Sequence, residues 1–123
     1  MPDPVSYFEL GGQDTGKLRE FYAEMFGWKI QTPLEAAETG DYSKVESAEG
    51  GIAGGIVRTS GNMPPNYVMF YVGVDDLQAS LDKAESLGGK TMVPPMPMPI
   101  AGGKGHIAVF MDPAGNTIGL RKV

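Results

Sequence analysis

An α+β domain is the fold this sequence predicts, built from two βαβββ modules that form a curved mixed sheet around a cleft. Three observations predict it. The chain has 123 residues, 41% of them hydrophobic, which suits one compact domain. The order of alternating strand, aspartate, amphipathic helix, glycine stop and second strand occurs twice. Each half then adds two more strand candidates joined by a turn. The domain is read as residues 1–123, with one module at 5–58 and the other at 66–123.

The first module opens with "VSYFEL", where Phe8 and Leu10 share one face and Val5, Tyr7 and Glu9 share the other. Asp14 is placed to accept from a free N–H of the first helical turn. Leu18, Phe21, Tyr22 and Met25 follow at helical spacing, and Gly27 supplies the stop. "DYSKVES" and "GGIAGGIVR", separated by "AEGG", complete the module. Trp28 is expected to anchor the core, and the acidic residues from Glu35 to Glu49 to form a solvated hairpin surface.

The second module opens with "YVMFYVGV". Val68, Phe70, Val72 and Val74 form its uniformly apolar face, with Met69 and Tyr71 opposite. Asp76 is the second cap, and Leu77, Leu81, Ala84 and Gly88 lie along one side of the second helix. The Phe8/Leu10 and Val68/Phe70/Val72 faces are therefore assigned to the helices. The tyrosine-, methionine- and glutamate-bearing faces are left for the interior of the cleft. "GHIAVFM" and "TIGLRKV" end the chain, joined by "DPAGN", in which proline fixes φ and Gly115-Asn116 tolerates a tight reversal. Gly119, near the middle of the last strand, is the odd residue, because a glycine there forgoes a side chain.

Composition excludes several function classes. No cysteine is present, so disulfides, thiolate metal sites and cysteine nucleophiles are out. The net charge is −5 and the pI about 4.7, with no basic run, so no nucleic-acid partner is expected. No apolar stretch approaches the roughly 20 residues a bilayer requires, and "MPDPVSYFEL" lacks the features of a signal peptide. No membrane partner and a cytoplasmic location are expected. His106 is the one histidine, which rules out a multi-histidine metal site within one chain. "GGIAGGI" and "AGGKGH" lack the Gly-Lys-Ser/Thr ending and the following helix of a phosphate cradle.

"DTGKLREFYAEMFGWKI", "VDDLQASLDKAESLGGK" and "FMDPAGNTIGL" together resemble the vicinal oxygen chelate superfamily, over nearly the whole chain. That superfamily includes glyoxalase I, extradiol dioxygenases, fosfomycin-resistance enzymes and bleomycin-binding proteins. Its metal enzymes hold a divalent ion with histidine, glutamine or glutamate side chains on the inner faces of the two halves. The resemblance implies that one ligand position lies seven residues before Asp14, at Tyr7, and its counterpart seven before Asp76, at Met69. A third lies seven after Asp112, at Gly119, and the last within residues 51–55. None offers a carboxylate or imidazole donor, so no metal and no cofactor are expected.

The residues expected to meet a ligand are Tyr7, Glu9, Met69, Tyr71, Ile107, Val109, Gly119 and Arg121. Tyr7 and Tyr71 either contact the ligand or fill the vacated metal pocket. Glu9 is either a general base with a raised pKa or a rim residue and partner for Arg121. His106 lacks a nearby acid or nucleophile in the sequence, which favours a structural or exposed role over catalysis. The stretch from Val93 to Ala101, with Met96, Met98 and the glycines at 102, 103 and 105, reads as a lid or a stiff connector.

The function expected is binding of a small apolar or aromatic molecule without the family metal. The alternative is a metal-independent glyoxalase-like or hydroxylase-like enzyme using Glu9 or Tyr7, followed by a metal-dependent lyase or dioxygenase. The resemblance also implies a homodimer.

Overall fold

The computed structural model describes residues 2–31, 42–98 and 105–123. Residues 35–41 of the expected acidic surface, and the lid residues beyond Met98 as far as 104, lie outside the described residues, as does the Met98 side chain. The elements are β1 (Val5–Gly12), α1 (Thr15–Phe26), β2 (Tyr42–Val45), β3 (Ala53–Arg58), β4 (Tyr67–Val74), α2 (Leu77–Ser86), β5 (Lys90–Met98), β6 (Gly105–Met111) and β7 (Thr117–Lys122). Strand pairing is both parallel and antiparallel, and the fold is α+β. The residues divide into a first unit, Tyr7–Val68, and a second, Met1–Ser6 with Met69–Val123.

In the first unit β3 pairs parallel with β1 and antiparallel with β2. The two-residue alternation of β1 sends Phe8 and Leu10 to the side where α1 packs. There Leu10, Val45 and Ile56 are buried, with Phe8, Leu18, Tyr22, Trp28 and Ile30 against them. Trp28 stacks on Tyr22 with ring centroids 5.1 Å apart and tilts against Phe8 at 5.3 Å, which gives it the anchoring place expected of it. Both ends of α1 are closed locally. The Asp14 carboxylate accepts from the Lys17 N–H at 3.1 Å, and Gly27, at φ 70°, donates its N–H to the Ala23 carbonyl at 2.9 Å.

Two expectations are corrected in this unit. Among the described residues, the strand anticipated after α1 shows as a single bridge between Ile30 and Val45. The apolar stripe of α1 is split: Leu18 and Tyr22 face the core, whereas Phe21 is 58% exposed and Met25 is also out. Helical spacing places these four on one broad arc, but the core covers only the Leu18/Tyr22 side of that arc and leaves the Phe21/Met25 side uncovered.

In the second unit the strand order is β4-β7-β6-β5, with β4 and β7 parallel and the other pairs antiparallel. Helix α2 is capped by Asp76, whose carboxylate accepts from the Ala79 N–H at 3.0 Å, and it buries Leu77 and Leu81 against Val74, Ala108 and Leu120. Val72 and Phe110 pack beside this cluster, but Val68 is 78% exposed and Phe70 is exposed as well. The helix-facing assignment of β4 therefore holds only from Val72 onward, because α2 packs mainly over β5, β6 and β7 and meets only the end of β4.

The proline-rich stretch is also corrected. From Val93 to Met98 it belongs to β5, paired with β6 through two register shifts. Prolines at 94, 95 and 97 are tolerated because, among the described residues, β5 pairs on one side only, so their missing N–H groups need not face a partner. The turn between β6 and β7 is held by Asp112, whose carboxylate accepts from the backbone N–H groups of Ala114 and Asn116 and from the Asn116 side chain, each at 2.9 Å. Within the turn only Gly115 takes positive φ, at 94°. No helix among the described residues is long and apolar enough to cross a membrane.

Candidate functional site

On β1, Tyr7, Glu9 and Gly11 point away from the α1 core. Pairing puts Glu9 across from Gly55 and Gly55 across from Lys44, while Gly11 opposes Val57 and Val57 opposes Tyr42. One face of the first sheet thus gathers Tyr7, Glu9, Tyr42 and Lys44. The hydroxyls of Tyr7 and Tyr42 hydrogen-bond to each other, and both residues are buried. The Tyr42 ring reaches this contact by lying over Gly55.

Glu9 is 3% exposed, which overturns its reading as a rim residue. Its carboxylate accepts a hydrogen bond from the Tyr67 hydroxyl. The Tyr67 ring lies over Gly11, where a Cβ would come within 2.1 Å of it. The segment leading to Tyr67 is pinned at both ends. The Thr59 hydroxyl donates to the Pro65 carbonyl at 2.9 Å, and the Thr59 N–H donates to the Gly12 carbonyl at 3.0 Å. Burial, then the neighbouring Glu9 charge and its hydrogen bond, push the Tyr67 phenol far above the ordinary tyrosine range. Tyr67 therefore stays protonated and remains a donor to Glu9.

In the second unit, register aligns Tyr71 with Gly119 and Gly119 with Val109, and in the neighbouring row Gly73 with Arg121 and Arg121 with Ile107. Met69 shares the face of Tyr71 by alternation. Six of the expected residues, Met69, Tyr71, Ile107, Val109, Gly119 and Arg121, thus lie on one face of this sheet. Tyr71 is 1% exposed, Met69, Ile107, Val109 and Gly119 are buried, and Arg121 is half-buried. The structure places Tyr7 and Glu9 together in the first unit and these six together in the second.

Tyr42 and Tyr67 escaped the sequence reading. Alternation along "YVMFYVGV" puts Tyr67 on the face of Met69 and Tyr71, a signal that was available. The pairing of Tyr42 with Tyr7 spans 35 residues and carries no local signature. His106 is exposed and lines a 370 Å³ cavity with Asp75, Asp76 and Lys122, so acidic side chains that the sequence did not place near it share its cavity. Among the described residues, cavities of about 390, 490 and 600 Å³ also lie against the helices, and neither these nor the His106 cavity is lined by any of the eight expected ligand residues.

The positions at which the family's metal would be held do not fit an ion. Tyr7 is engaged with Tyr42, Met69 offers only a thioether, and Gly119 has no side chain. Residues 51–55 are glycine, isoleucine and alanine. Among the described residues no three His, Asp or Glu side chains come together in a way that would hold a metal.

A family model described as Glyoxalase/Bleomycin resistance protein/Dioxygenase superfamily matches residues 5–120. A glyoxylase-like domain-containing protein of Didymella fabae is 30% identical over 90 residues, covering 72% of this chain and 70% of its own length. The anthracycline biosynthesis protein DnrV of Streptomyces peucetius is 28% identical over 93% of this chain, which spans only 45% of that protein. Among solved structures, the hypothetical protein BH1468 of Bacillus halodurans C-125 superposes with a TM-score of 0.74 at 12% identity, covering 100% of this chain and 96% of its own.

Proposed function

Because this chain belongs to the glyoxalase/bleomycin resistance protein/dioxygenase superfamily, we propose that it is a metal-independent member that binds a small apolar or aromatic molecule. The observation that carries this reading is the second-unit face on which Met69, Tyr71, Ile107 and Val109 stand in register around Gly119. Thioether, phenol ring and aliphatic groups suit an organic ligand and are poor partners for a divalent ion. The name of the anthracycline biosynthesis relative supports an aromatic ligand class. Because the face is buried, a ligand enters by displacing side chains, and unbranched Met69 is the one best able to yield.

The test is a binding screen of planar aromatic and bleomycin-class compounds, followed by thermal shift and by fluorescence of Trp28, the one tryptophan. A hit whose affinity falls about tenfold or more in Met69→Ala or Val109→Ala supports the assignment. A hit indifferent to both substitutions places the site elsewhere.

A second reading, acid–base catalysis, is favoured by one observation: Glu9 is buried and held by the Tyr67 hydroxyl. Glu9→Gln separates the two readings, since loss of turnover with binding retained indicates catalysis. The proposed homodimer is checked by light scattering on the intact chain.

A further inference from the structure

We infer that tyrosine rings occupy volume that the family's metal-ligating side chains need, Tyr71 over Gly119 and Tyr42 over Gly55 in the 51–55 stretch, so that restoring donor residues alone does not rebuild the centre. The inference deepens the metal-independent reading above and rests on it.

Gly119 and Gly55 are not glycine for the sake of backbone freedom. The glycines with positive φ are Gly27, Gly50, Gly61, Gly88 and Gly115, and at four of these an added Cβ meets nothing within 4 Å. Gly119 and Gly55 are in strands and outside that conformation, so any residue suits their backbone. Space is what excludes a side chain. A Cβ on Gly119 would lie 2.5, 2.6 and 2.9 Å from three atoms of the Tyr71 ring. A Cβ on Gly55 would lie 2.3 Å from the Tyr42 hydroxyl oxygen and 2.5 Å from the ring carbon that bears it.

Neither ring is placed to give way. Tyr71 and Tyr42 are each 1% exposed, and the Tyr42 hydroxyl is hydrogen-bonded to Tyr7, itself a ligand position. The same device recurs where no ligand is expected, with Tyr67 seated on Gly11. Three glycines in two units thus each carry a tyrosine ring; Gly119 is at an expected metal-ligand position and Gly55 lies within the 51–55 stretch expected to hold another. In a close-packed interior, a glutamate at 119 and a tyrosine at 71 compete for one volume.

The test measures thermal melting of Gly119→Ala, Tyr71→Ala and the double variant, with metal retention of the wild type and Gly119→Glu after loading with nickel or zinc and desalting. Gly119→Ala is expected to lower the melting temperature by roughly 5–15 °C in the wild type, and by less than about 2 °C in the Tyr71→Ala background. Gly119→Glu is expected to retain no ion. If Tyr71→Ala does not fold, Gly55→Ala with and without Tyr42→Ala gives the same comparison. Equal losses in both backgrounds, a Gly119→Ala protein as stable as wild type, or an ion held by Gly119→Glu would overturn the inference while leaving the metal-independent reading intact. An ion held by the wild type would overturn both.

Discussion

The hydroxyl of Tyr67 donates to the carboxylate of Glu9 across 58 residues of sequence, joining the start of β4 to the middle of β1 within the first unit. A carboxylate that is 3% exposed is costly to leave without hydrogen bonds, and the phenol supplies one. Removing that donor has two separable consequences.

At neutral pH, Tyr67→Phe is expected to destabilise the protein by about 1–3 kcal/mol, because the buried Glu9 carboxylate loses one of its hydrogen-bond donors. The loss is read from urea or guanidinium unfolding with an unchanged slope.

The alkaline limb gives the second consequence. The folded-state pKa of Tyr67 is raised above its ordinary 10.0, so its contribution is fully present below pH 10 and is lost as pH rises toward the folded value. Tyr67→Phe lacks that loss, while the other tyrosines are common to both proteins. The gap in melting temperature between wild type and variant should therefore narrow from pH 9 to pH 11.5. A gap that stays constant contradicts the burial assigned to this phenol.

Asp112 gives the opposite sign at acid pH. Hydrogen bonds from the Asn116 side chain and backbone, with smaller help from Ala114 and Gly115, hold its carboxyl below the ordinary 3.8. Its contribution is present above that value and is lost as pH falls through the folded pKa. Asp112→Ala should melt below wild type at pH 6, with the difference shrinking toward pH 3. A difference that grows on acidification would rule out the turn as the source.

The helices differ in what they bury, and truncation should show it. Leu81→Ala, at a position that is 0% exposed, is expected to cost about 2–5 kcal/mol. Phe21→Ala, on the outer face of α1, should fall within about 1 kcal/mol of wild type. Comparable losses at both would mean that the α1 face is covered in solution.

These contrasts also mark how far the sequence was legible. Alternation places Tyr7 with Glu9 and Met69 with Tyr71, since strand parity is a local property. Asp14, Gly27 and Asp76 announce the helix ends for the same reason. Periodicity shows which residues of α1 are apolar but not how much sheet lies beneath them, and so Phe21 and Met25 were misplaced. The prolines of β5 read as a loop because their effect depends on whether the strand has one neighbour or two. Glycine's role at 119 and 55 depends on which ring lands on it from another strand, and spacing along the chain does not carry that information.

We propose that the family's metal centre has given way to tyrosine, methionine and aliphatic side chains suited to an organic ligand, and metal content is the decisive measurement. The wild-type chain is loaded in turn with nickel, zinc, manganese and ferrous iron, desalted, and assayed by elemental analysis. No ion is expected to be retained near stoichiometry. Close to one ion per chain, of any of the four, would contradict it and return metal-dependent lyase or dioxygenase chemistry to this fold.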